Sequence, residues 1–233
     1  MIADNIRKVQ GRIEQAALRS GRKPEDITFV CVTKGRAIDD IKEALACGIT
    51  NIGEIRVQEA LLKHRALSAI RYPLNAIKWH MVGHLQTNKA KDAVAMFDLI
   101  HSVDSLKLAG EINKQAARIN KTQNILIEVN TSGEASKYGL RPEGLIKVIS
   151  DIIVLHNIRL CGLMTMAPVV RDKEKARPYF RKLRQLREEV NNSLLKTYNL
   201  KLTALSMGMS GDYEVAIEEG ATIVRVGTAI FEG

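Results

Sequence analysis

Short runs rich in β-branched residues alternate with longer stretches of helical period along the chain, and this alternation restricts the fold more than any other feature. The strand-like runs fall at 27–33, 51–53, 77–83, 99–103, 125–130, 160–166, 204–207 and 222–231. Helical segments occupy 39–47, 57–67, 88–95, 105–120, 143–155 and 212–219, and an opening helix carries Ile2, Ile6, Val9, Ile13 and Ala17 on one face. Strands that alternate with helices imply a parallel sheet, because parallel neighbours need a long crossover. Eight such units in 233 residues match a closed barrel, whose typical length is about 250 residues. An open doubly wound sheet would carry GxGxxG after its first strand, and that place reads TKGRAIDD. The predicted architecture is α/β: one (β/α)8 TIM barrel domain spanning 1–233, with an additional N-terminal helix.

Composition narrows the setting. No run approaches the ~18 apolar residues of a membrane helix, and the first residues, MIADNIRKVQGRIEQ, resemble neither a signal peptide nor an anchor. Cys31, Cys47 and Cys161 are scattered and odd in number, a pattern of free thiols in a reducing compartment, so the expected location is the cytoplasm. The net charge is +9, much of it between Arg171 and Lys196, where apolar positions recur every three or four residues. That is an amphipathic helix with a basic outer face. With aromatics at 4% and no nucleic-acid-binding motif, the expectation is a solvated face and no nucleic-acid partner.

In a (β/α)8 barrel the ligand face lies at the C-terminal strand ends. The residues delivered there are Lys34, then Glu54 and Arg56, His80 and His84, Ser102 and Asp104, Asn130 and Thr131, Thr165, Ser206 and Ser210, and finally Arg225, Gly227 and Thr228. Lys34 closes an apolar run, where desolvation would favour the neutral amine that attacks carbonyls; a strand-end lysine reaching water fits the same position. SMGMSGDYE and RVGTAI form turns after the last two strands, the usual phosphate loops of this fold, although Ser and Gly also fill turns for conformational reasons. Arg225 and Gly227 share a strand face, so Arg225 is expected to project into the mouth. His80 and His84 have HxxxH spacing but need not share a face on a strand and turn, and no metal site is expected.

The same segments resemble a known family. VTKGR, NIGEIRVQE, WHMVGHLQTNK, IHSVDSLKLA, VNTSGEASKYG, LCGLMTMAP, LSMGMSGDYEVAI and VRVGTAIFEG occur in that order. Together they are similar to the YggS/PROSC family of pyridoxal phosphate homeostasis proteins, which resemble the barrel domain of alanine racemase (fold type III). The resemblance implies that Lys34 is the Schiff-base lysine for pyridoxal 5′-phosphate and that Ser210, Gly227 and Thr228 meet its phosphate, with Ser206 and Met209 nearby. It places Arg225 at the pyridine nitrogen and His80 and Asn130 along the pocket. Where the family commonly has an Asn-Tyr pair, this chain has Ile55 and Arg56.

An arginine at the ring nitrogen disfavours the protonated pyridinium that makes this cofactor an electron sink. Racemisation also needs an acid/base on each substrate face, and alanine racemase draws its second from a C-terminal domain absent from this sequence. The resemblance therefore implies a carrier or regulator in vitamin B6 homeostasis, with little catalysis and with cofactor-dependent apo-enzymes as recipients; with no obvious exposed apolar patch in the sequence, a monomer is expected. A racemase-like enzyme is the alternative. A cofactor-free Schiff-base aldolase shares the barrel and the lysine, and Lys137 is the second lysine in reach.

Overall fold

The structure is a computed structural model that describes residues 1–198 and 200–232, the side chains of 195–197 excepted. After α1 (Ile2–Arg19) the chain alternates strictly: β1 (Thr28–Val32), α2 (Ile38–Ala46), β2 (Asn51–Glu54), α3 (Val57–Ala69), β3 (Lys78–Met81), α4 (Ala90–Met96), β4 (Leu99–Val103) and α5 (Leu106–Arg118). It continues with β5 (Gln123–Glu128), α6 (Leu145–Ile152), β6 (Ile158–Met164), α7 (Arg177–Tyr198), β7 (Ala204–Ser206), α8 (Tyr213–Glu218), β8 (Ile223–Val226) and α9 (Thr228–Phe231). The eight strands form a closed barrel in sequence order, as the alternation predicts. Closure comes from β1 pairing with β8, in the register Thr28↔Ile223 through Cys31↔Val226.

The pleat sorts side chains into two apolar layers. Val30, Val82, Leu126, Met164 and Ile223 fill the lumen. Their strand neighbours, Cys31, Met81, Ile125, Ile127, Leu163 and Val224, point outward beneath the helices. α1 lays its buried face of Ile6, Val9, Ile13 and Ala17 against α2, α8 and α9, and the Asn5 side chain donates to the Ile230 carbonyl at 2.9 Å.

One boundary differs from the sequence pattern. The run 222–231 reads as a single strand, yet pairing stops at Val226 and Thr228–Phe231 is helical. β-branched Thr228 and Ile230 suit a strand, but beyond Val226 the chain turns at Gly227 and buries Ile230 beside α1. Tertiary burial overrides local propensity there.

The basic helix is α7, and part of its basic face is tied down. Arg177 meets Glu174 at 2.7 Å, Glu218 at 2.7 Å and Glu219 at 3.3 Å, while Arg181 meets Glu219 at 2.9 Å. Burial would raise the Glu219 carboxyl, but the bonds from Arg181 and Arg177 hold it below the usual range. A depressed folded-state pKa contributes stability that is present above the unfolded value and lost as pH falls through the folded one. Thermal melts of the wild type should therefore drop in the acid range below pH about 4.5, and Glu219→Gln should flatten that part of the profile while lowering the melting temperature near neutrality.

Candidate functional site

The β1–β8 register sets the site. With Cys31 opposite Val226, the chain leaving β1 passes Gly227, and a Cβ on Gly227 would lie 2.9 Å from the Val32 carbonyl oxygen. Glycine is therefore required for this approach. Lys34 sits in the turn beyond β1, exposed at the mouth, and Gly35 completes that turn at φ +68°, a conformation costly for other residues. A cavity of about 290 Å³ opens here, lined by Lys34, Met209, Ser210, Gly211, Arg225, Gly227 and Thr228, with Val32, Ile55, Val82 and Met166 as apolar wall. It lies near the small end of the ~300–1,000 Å³ range of small-molecule sites.

The loops after β7 and β8 are knitted together. Ser210 Oγ accepts from the Gly227 and Ala229 amides at 3.3 and 3.2 Å, and the Met209 amide donates to Asp212 Oδ1 at 2.6 Å. A Cβ at Gly211 would meet nothing within 4 Å, so the chain between these loops faces open cavity. Hydroxyls of Ser210 and Thr228 together with turn amides make a neutral donor set suited to an oxyanion.

The Lys34 turn is clamped from behind. Lys63, on α3, is buried and donates from Nζ to the Thr33 carbonyl at 2.5 Å, Glu54 Oε1 at 2.7 Å and Glu59 Oε1 at 2.6 Å. The Thr33 hydroxyl donates to Glu54, and the Gly35 amide donates to Glu59 at 2.5 Å. The residues on either side of Lys34 are thus held by one buried cluster while its own side chain stays free to reach the cavity. Burial pushes the Glu54 carboxyl up, against the pull of Lys63 and Thr33.

Arg225 is held from below by a chain of hydrogen bonds through the lumen. Its Nη1 donates to Ser206 Oγ at 2.5 Å and its Nη2 to the Thr165 carbonyl at 3.0 Å. Ser206 Oγ lies 2.8 Å from His101 Nδ1, His101 Nε2 lies 2.9 Å from His80 Nδ1, and His80 Nε2 lies 3.0 Å from Asn51 Oδ1. A guanidinium has donors alone, so Ser206 Oγ accepts from Arg225 and keeps its hydrogen to give to a bare His101 Nδ1. The His101 proton is then on Nε2, facing a bare His80 Nδ1, and the His80 proton is on Nε2, facing Asn51. The far end agrees, since Asn51 Nδ2 is turned to Thr50 Oγ1. Burial pushes both imidazoles down, His80 to about 4, and His101 well below its usual value, with His80 and Arg225 adding to the effect of burial. Arg225 is pushed down to about 10 by burial, partly offset by Glu128 and Asp212, and so stays cationic at neutral pH.

Of the nine residues singled out from the sequence, Lys34, Met209, Ser210, Arg225, Gly227 and Thr228 line one cavity. His80, Asn130 and Ser206 do not. His80 and Ser206 lie in the lumen behind Arg225. Asn130 is occupied by its own loop, donating to the Glu134 carbonyl at 2.8 Å and accepting from the Gly133 amide at 2.9 Å. Glu54, expected at the mouth, points outward to α3, because strand alternation sends Gly53 to the lumen and its neighbour the other way. Lys34 is exposed rather than desolvated. Lys63, Glu59 and His101 were not anticipated. The i,i+4 spacing of Glu59 and Lys63 signals a helix pair, but nothing local says that the pair faces inward.

Fold and site define a (β/α)8 barrel with an amine, an anion cradle and a buried arginine converging on its C-terminal mouth. Comparison with known proteins gives the same class. The family described as "Alanine racemase, N-terminal domain" matches residues 2–233. A "Pyridoxal phosphate homeostasis protein" of Aquifex aeolicus is 44% identical over 228 residues, covering 98% of this chain and 96% of the relative. The structure of PipY from Synechococcus elongatus PCC7942 with PLP bound superposes with a TM-score of 0.83 at 33% identity, covering 99% of this chain and all of PipY. An alanine racemase of Clostridium difficile shares the fold, with a TM-score of 0.74 at 15% identity; this chain covers 56% of its length. The chain belongs to the pyridoxal phosphate homeostasis protein family.

Two measurements test this geometry. Lys63→Met should destabilise the protein by about 3 kcal/mol in urea melts, because it leaves a buried carboxylate pair without its cation. Imidazole nitrogen NMR should find His80 and His101 as neutral Nε2–H tautomers that titrate neither ring down to pH about 5, and His101→Phe should broaden the Arg225 guanidinium signals.

Proposed function

We propose that this chain binds pyridoxal 5′-phosphate at the barrel mouth through Lys34 and acts as a carrier or regulator in vitamin B6 homeostasis, with little catalysis of its own. The observation that carries this reading is the single cavity joining Lys34 to Ser210, Gly227, Thr228 and Arg225. Relatives that carry the homeostasis name and the cofactor-bound PipY structure support it. When bound, the cofactor supplies an aldehyde that condenses reversibly with primary amines, and a ring that withdraws electrons best when its nitrogen is protonated.

Lys34 is the amine for that aldehyde. Ser210 and Thr228 would offer donors for the phosphate beside Gly227, whose missing side chain leaves it room, and Met209 contributes wall. Arg225 presents donors and a fixed positive charge to the ring, which keeps a proton off the nitrogen it faces. His80 and Ser206 act through Arg225, and Asn130 shapes the loop beside the mouth. Among the described residues, Lys34 and Arg225 are the ionisable ones lining this cavity. Residues 1–233 serve as one binding domain, a cytoplasmic monomer whose recipients are apo-enzymes that use the same cofactor.

The purified protein should show a visible absorption band that borohydride bleaches, with the reduced label mapping to Lys34. Lys34→Ala should lose the band. Label confined to Lys137 or any other lysine would overturn the assignment, and racemisation of any amino acid in a chiral assay would overturn the carrier reading.

A further inference from the structure

A second cavity, of about 510 Å³, adjoins the Lys34 chamber. Ile55, Val82 and Met166 belong to the walls of both, so the two form one mouth with two compartments. The second compartment has an apolar floor that includes Val57, Met81 and Leu85, and no carboxylate lines it. Its charged wall is Arg56 and Lys89. Neither side chain has a salt bridge among the described residues. Glu59 feels the Arg56 charge but is hydrogen-bonded by Lys63 and by the Gly35 amide. His84, on the same wall, is taken by Asp104 at 3.4 Å and by stacking on Tyr138.

Two cations without a salt bridge among the described residues, over an apolar floor and next to a chamber that holds an amine, specify a ligand. It carries an anionic group at one end, a small apolar body, and an amine that reaches toward Lys34. An α-amino acid has that layout, and the guanidinium fork matches a carboxylate. Ile55 forms part of the shared wall and Arg56 stands beyond it.

We propose that the second compartment is an amino-acid subsite, in which Arg56 and Lys89 receive the carboxylate while the amine enters the Lys34 chamber and takes the cofactor over. This deepens the cofactor-carrier reading and rests on it. In the exchange the incoming nitrogen bonds to the carbon held by Lys34, the bond from that carbon to the Lys34 nitrogen breaks, and two protons pass from the incoming nitrogen to Lys34. No water, oxidant or reductant is consumed. The subsite makes free amino acids the first acceptors of the cofactor.

The test titrates the cofactor-loaded protein with L-alanine and with L-alaninamide, which lacks the carboxylate, and follows the visible band. Arg56→Gln combined with Lys89→Gln should raise the half-saturating alanine concentration about tenfold, as expected for loss of two partly exposed charge contacts, and leave alaninamide unchanged. Equal shifts for both ligands, or none for alanine, would overturn the subsite. Both substitutions are at the cavity rim, and an unchanged thermal melt confirms the fold. Failure of the carrier reading itself appears separately, as absence of the band and of label on Lys34. In that event the Arg56 Nε–H resonance of the ligand-free protein decides: a saturable shift with alanine and none with alaninamide supports the subsite, and no shift removes it.

Discussion

The pairing of β1 with β8 is the contact on which the rest of the molecule depends. It closes the barrel, and it also brings the third residue after Cys31 beside the first residue after Val226. Lys34 and the Gly227–Thr228 turn are nearly two hundred residues apart in the chain, yet they share a cavity because these two edge strands meet. The absence of a side chain at Gly227 lets the chain leaving β1 pass this close. A parallel barrel rests on non-local pairings, so the mouth cavity needs the last strand in place.

Two buried polar systems then give the mouth its chemistry, and they do opposite things. The Lys63 cluster fixes the backbone on both sides of Lys34 and leaves the side chain itself unrestrained. The lumen chain from Asn51 to Ser206 restrains the Arg225 guanidinium at its far end. The adjoining compartment sets Arg56 and Lys89 beside the Lys34 chamber, where they would receive a carboxylate.

Much of the architecture was legible in the chain because the relevant signals are local. β-branched runs alternating with helical periods lead to strand count, parallel pairing and closure. Period-two alternation correctly turned Arg225 inward, and turn chemistry marked Ser210 and Gly227. The same alternation, counted from the strand end, misplaced Glu54, whose carboxylate lies under α3. His80 and Asn130 were legible as polar residues near a mouth, but not as groups already occupied by His101 and by the loop of residues 130–137. Hydrogen-bond partners are set by neighbours in space, which no spacing rule encodes.

The sequence by itself determined the barrel, the face on which a ligand would sit, and the residue types offered there, because each follows from periodicity, turn residues and chain length. Tertiary structure alone decided which of those residues meet. It placed Lys63 and Glu59 behind Lys34, ran a neutral histidine pair across the lumen to Arg225, and set Arg56 and Lys89 beside the cofactor chamber. The physical reason is desolvation: a buried polar group must find its partner among whatever the closed barrel brings within about 3 Å, and closure is a property of all eight strands together.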